Sequence, residues 1–74
     1  MPRQSLTEPM AVRVDDVSAS VTYVGEALVG TADSAATWRI KRITITSTIT
    51  DIKWADGNQF FDNIWDNRTS LTYS

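Results

Sequence analysis

Residues 38–54 read W-R-I-K-R-I-T-I-T-S-T-I-T-D-I-K-W, from Trp38 to Trp54. Ile and Thr dominate this stretch, and both are stiff at χ1, which suits a pleated strand better than a helix. Trp38 and Ile40 share one parity, whereas Ile43 and Ile45 share the other. If only one face of the sheet is buried, this mismatch predicts a β-bulge at Lys41-Arg42 that returns every apolar residue to the core. Ser47-Thr48 is the expected hairpin apex, after which Ile52 and Trp54 resume the alternation.

Downstream, Ala55-Asp56-Gly57-Asn58 contains Asp-Gly, the strongest turn signal in the chain. Phe60, Phe61, Ile64 and Trp65 then recur at i and i+4, which predicts a short helical turn, or a compact loop, over 59–66 that carries large aromatics inward, with Asn58 as the N-cap of the helical alternative. Leu71 and Tyr73 alternate with Ser70 and Thr72, as a last short strand would. Upstream, Val12 and Val14 mark a short strand, and Asp15-Asp16 interrupts it as a turn or bulge. Val17, Ala19, Val21 and Tyr23 alternate against Ser18, Ser20 and Thr22, the tidiest period of two in the chain. Gly25 is expected to end or bend that strand. Residues 30–36 are small and polar and read as a loop, the alternative being one helical turn capped by Asp33 or Ser34. Pro2 and Pro9 make residues 1–10 an extended arm, leaving 11–74 as the folded domain.

About five or six strands and one helical turn define the fold class. It is all-β, a small antiparallel β-sandwich or partly open barrel with one short helical turn near the C-terminus. At 74 residues the chain is one domain with little core, and small folds lean on disulfides, metals or oligomerisation. It has no Cys and no His, so disulfides and the commonest metal ligands drop out and self-association remains; a homo-oligomer is expected. A formal charge of −2 makes nucleic acid an unfavourable partner, since such domains are normally basic. The first residues lack the apolar segment of a signal peptide, and no run reaches the roughly 20 apolar residues that span a bilayer. A soluble protein made in the cytoplasm, with no membrane partner, is the expectation. Asn67-Arg68-Thr69 matches the glycosylation sequon, which has no meaning without secretion.

Catalytic equipment is sparse. Without His or Cys, the candidates reduce to carboxylates, two lysines and hydroxyls. Asp15-Asp16 is the one adjacent acidic pair, and neighbours on a strand point to opposite faces, where they cannot share a proton. The run Asp56, Asn58, Asp62, Asn63, Asp66, Asn67 departs from the calcium-loop pattern because its glycine follows Asp56 directly. Catalytic, cofactor and metal residues are therefore all read as none. Arg39, Lys41 and Arg42 form the one basic cluster. Beside Trp38 they could stack single-stranded nucleic acid, but the better partner is the acidic segment 51–66, in the fold or across an interface. Three tryptophans and two phenylalanines are many for so small a core. Trp38, Trp54 and Phe61 are assigned to the core. The candidate partner contacts are Trp38, Arg39, Lys41, Arg42, Phe60 and Trp65, with Trp38 counted in both roles.

Three runs, T-Y-V-G-E-A (22–27), G-T-A-D-S-A-A-T-W-R-I-K-R-I (30–43) and W-A-D-G-N-Q-F-F-D-N-I-W-D-N-R-T-S-L-T-Y-S (54–74), resemble small virion structural proteins of tailed bacteriophages. The resemblance begins near residue 12 and is most specific in W-D-N-R-T-S-L-T-Y. It implies a non-enzymatic virion component whose partners are the major capsid protein or the tail and neck proteins, and it carries no catalytic residues. A capsid decoration or cement subunit is the first expectation. A tail, neck or fibre-attachment component is the second, and a small single-stranded nucleic-acid-binding module the third.

Overall fold

The computed structural model describes residues 10–74; the expected arm, apart from Met10, lies outside the described residues. Strands β1 (Met10–Ser18), β2 (Val21–Leu28), β3 (Arg39–Thr46) and β4 (Ile49–Trp54) are followed by a 3-10 helix, Trp65–Ser70. The strands form one open sheet in the order β1-β2-β3-β4, every pair antiparallel. The all-β antiparallel class and the single helical turn near the C-terminus are thus as expected. The second layer is not another sheet but the irregular C-terminal segment laid across one face.

Local chemistry accounts for the turns. The β3–β4 apex falls at Ser47-Thr48, with Ser47 at φ 58°. At Asp56-Gly57 both residues take positive φ, 61° and 71°, which Gly adopts freely and Asp tolerates. Asn58 does not cap a helix. Its Oδ1 accepts from the Phe60 N–H at 2.9 Å, an Asx turn, and residues 59–64 take the loop rather than the helical alternative. The helical turn is displaced to 65–70, where Ser70 Oγ and Arg68 bond back to the carbonyls of Asn67 and Trp65. In place of a final strand, Tyr73 makes an isolated bridge to Ala55, and Trp54 and Ser74 exchange backbone bonds at 3.1 and 3.2 Å.

Three strand assignments change. The first strand runs through Asp15-Asp16 and turns at Ala19-Ser20, which cuts the regular 17–23 alternation in two; of the turn or bulge expected at Asp15-Asp16, an irregularity of register is present, between Asp16 and Ser18. Gly25 neither ends nor bends β2 but lies buried in mid-strand. No bulge occurs at Lys41-Arg42, because β3 keeps unbroken register with both neighbours from Arg39 to Thr46. Paired residues share a face, so the sheet has two apolar faces rather than one.

The covered face carries Tyr23, Gly25 and Ala27 of β2 and Ile40 of β3. Upon these the C-terminal segment places Trp65 and Tyr73, with Trp38 and Ala55 completing the buried core. Trp38 and Trp65 rings lie 5.8 Å apart, and those of Tyr23 and Tyr73 5.7 Å. Backbone bonds between Trp38 and Asn63, at 2.9 and 3.0 Å, and from the Asp66 N–H to the Asp33 carbonyl, at 3.1 Å, fasten the segment down.

One side chain pins the segment to the far edge of the sheet. Arg68 Nε donates to Asp15 Oδ2 of β1 at 2.8 Å, its guanidinium lies 4.6 Å from the Trp65 ring centroid, and its carbonyl accepts from the Tyr73 hydroxyl at 2.7 Å. Both side chains of the pair are still part-exposed, so solvent screens it. A double-mutant cycle on Asp15→Ala and Arg68→Ala should return a coupling of about 0.5–1 kcal/mol by urea denaturation. A coupling of zero would mean that the pair does not fix the segment.

Burial pushes the Tyr73 hydroxyl up from 10.0 to about 12, with neighbouring Tyr23 acting in the same direction. Below pH 10 folded and unfolded chains both keep this proton. Between about 10 and 12 the unfolded chain releases it while the folded chain holds it, so stability falls as pH rises, by at most about 1.4 kcal/mol per pH unit. Denaturation midpoints from pH 9 to 12 should therefore drop more steeply for the native chain than for Tyr73→Phe. Parallel curves would contradict this.

Candidate interaction surface

The strand register lays out the second face row by row. Met10 sits beside Leu28; Val12 beside Glu26 and Arg39; Val14 beside Val24, Lys41 and Trp54; Asp16 beside Thr22, Ile43 and Ile52; and Ile45 beside Thr50. Val14 is 64% exposed, Val12 56%, Ile52 54% and Ile45 46%. A row of β-branched side chains left open to solvent is unusual, since a sheet normally presents one apolar and one polar face.

The charges on this face are internally matched. Arg39 Nε donates to Glu26 Oε1 at 2.9 Å, and its Nη2 reaches the same oxygen. The Arg39 guanidinium stacks between two rings, 4.8 Å from the Phe61 centroid and 5.4 Å from that of Trp54. Lys41 Nζ lies 5.4 Å from the Trp54 centroid, and Asp16 accepts from the Thr22 hydroxyl at 3.1 Å. At one end, Met10, Leu28, Thr31, Thr37 and Phe61 line an apolar groove of about 500 Å³ that continues the face.

The six sequence-derived contact residues are therefore scattered. Arg39 and Lys41 share the open face, and Phe60 is 68% exposed on the loop beside it. Trp38 and Trp65 are fully and nearly fully buried, so neither offers a surface for a partner. Arg42 lies on the covered face, 4.9 Å from the Tyr73 ring centroid. The basic strand does meet segment 51–66, through the β3–β4 ladder and the rings of Trp54 and Phe61. Among the described residues its one ion pair, however, is that of Arg39 with Glu26 across the β2–β3 ladder, not with the acids of that segment. Trp54 and Phe61 in turn are not core residues: Trp54 lies part-buried on the open face, and Phe61 is 44% exposed.

Sequence reasoning missed Val12, Val14, Ile43, Ile45 and Ile52 as a surface. The parity of Trp38–Ile45 carried the signal, but the assumption of one buried face turned it into a bulge. Among the described residues no group of three His, Cys, Asp or Glu side chains could hold a metal ion, and no helix is long and apolar enough to cross a membrane. Together the fold and the surface define a half-covered, single-sheet β-domain with one open apolar face. Compared with known proteins, the chain matches no family model, no curated protein and no solved structure.

Proposed function

We propose that the protein is a non-enzymatic structural subunit of a tailed-bacteriophage virion, a capsid decoration or cement protein that works through protein–protein contacts. One observation carries the reading of a contact protein: a sheet face of exposed Val12, Val14, Ile45 and Ile52 beside exposed Phe60 and Phe61. Burying such surface on a neighbour is worth roughly 25 cal/mol per Å², which is how a domain without catalytic groups can act. A stable contact needs about 1,200–2,000 Å² in total, a large share of so small a surface. The phage assignment rests on the resemblance of residues 22–27, 30–43 and 54–74.

Quantitative mass spectrometry of purified particles tests the assignment. Copy numbers on the order of hundreds fit a capsid subunit, because capsid symmetry multiplies every surface site. A dozen or so would move it to the neck, tail or fibre attachment, and absence from particles would refute the assignment. A single-stranded nucleic-acid module is the reading from another class, and Arg39, Lys41 and Trp54 on one face favour it. It requires salt-sensitive oligonucleotide binding that Arg39→Ala with Lys41→Ala abolishes.

A further inference from the structure

We infer that the open face of the sheet is the contact between two copies of this chain, which stack face to face as the two halves of a β-sandwich. Open antiparallel sheets with an apolar face complete themselves in this way, two sheets packing about 10 Å apart with interdigitated side chains. The identity of the occupant follows from three features of the face.

The first is charge. The face holds Asp16, Glu26, Arg39 and Lys41, two of each sign, with Glu26 and Arg39 already paired and Asp16 and Lys41 each held by a neighbour on the same face. A face that sums to zero has no field with which to select an oppositely charged protein or a polyanion. It can meet its own copy without like-charge repulsion. The formal −2 of the chain is carried by residues outside this face.

The second is area. Four strands spaced about 4.8 Å apart and some seven residues long at about 3.3 Å each give a footprint on the order of 450 Å² per copy. The groove at Met10, Leu28 and Phe61 extends it. The total of about 1,000 Å² meets the minimum for a biological interface but lies below the range of stable ones, and so matches a weak dimer.

The third is the shortness of the internal core. Only seven apolar side chains are buried among the described residues, all on the other side of the sheet. A second apolar layer is what a chain without disulfides lacks. Stacking uses the sheet face and leaves exposed Phe60 for a different neighbour. The inference stands whether or not the protein is found in virions, since it concerns the free chain.

Sedimentation equilibrium of the full chain from about 1 µM to 1 mM tests it, with circular dichroism to monitor the fold. The native chain should be dimeric at the upper end. Val14→Glu and Ile52→Glu, both at exposed positions that the fold does not need, should each weaken association at least about 10-fold with unchanged circular dichroism. Phe60→Glu, off the sheet face, should leave the dimer intact. A native chain that stays monomeric throughout, or a dimer that survives both face substitutions, would overturn the inference. So would a monomer whose face substitutions abolish binding of a single-stranded oligonucleotide, which would assign the face to nucleic acid.

Discussion

Trp38→Ala should cost about 3–5 kcal/mol and lower the melting temperature on the order of 15–30 °C. Total stability for a chain of this length is about 4–11 kcal/mol, so the variant would sit at or near the threshold of folding. Three losses combine. The indole is fully buried, so its removal leaves a cavity between the sheet and the C-terminal segment. Its Nε1 donates to the Ala32 carbonyl at 2.9 Å, a bond that holds the β2–β3 loop and would vanish. Its ring also packs on Trp65, the residue through which the C-terminal segment covers the sheet. Trp38→Phe keeps most of the packing and loses the hydrogen bond, and should cost about 1–2 kcal/mol. Thermal melts followed by far-ultraviolet circular dichroism check both. A fall below about 5 °C for the alanine variant would show that Trp38 is not the centre of the core.

Gly25→Ala adds a single methyl and should still cost about 3 kcal/mol, at the upper end for overpacking. A Cβ at this position would lie 2.5 Å from Trp65 Cε3, 2.6 Å from Trp65 Cζ3 and 3.2 Å from Trp38 Cε3. These are ring atoms of two buried indoles in a close-packed interior, so a ring or the strand must shift. Glycine serves here because another chain segment approaches the strand backbone, not because the strand stops. Val24→Ala, one residue away on the opposite face, should cost about 1 kcal/mol or less. Combining Gly25→Ala with Trp65→Leu should recover part of the loss relative to the sum of the single changes, because the smaller side chain makes room. Strict additivity in urea denaturation would show that the contact with Trp65 is not the cause.

The elements of this fold were legible wherever they depend on near neighbours. The Ile/Thr alternation of 40–46 marks a strand, Ser47-Thr48 is its apex although neither residue is a strong turn former, and Asp56-Gly57 marks a turn through residues that tolerate the backbone required. The failures share a cause. The 17–23 alternation suits one long strand, yet the chain turns at Ala19-Ser20, because pairing Asp15 with Tyr23 and Val14 with Val24 decides where β1 must end. The i, i+4 aromatics of 60–65 suit a helix, yet Phe60 and Phe61 stay exposed while Trp65 alone descends onto Gly25. The surface was legible only as a conflict. Ile43 and Ile45 are out of phase with Trp38 and Ile40, and a bulge was the reading consistent with one buried face.

By itself, then, the sequence determined the all-β class, most of the turns, the absence of His and Cys chemistry, and the two parities of the 38–54 stretch. Those properties reside in single residues and their immediate neighbours, where steric preference and period are decided. Tertiary structure alone decided that β3 runs without a bulge, and that the C-terminal segment covers the Trp38–Ile40 face and leaves the Ile43–Ile45 face open. Which of two apolar faces is covered depends on contacts such as Trp65 on Gly25 and Arg68 on Asp15, made between residues far apart in the chain. No local pattern records them, because hydropathy registers that a side chain avoids water and not which surface shields it.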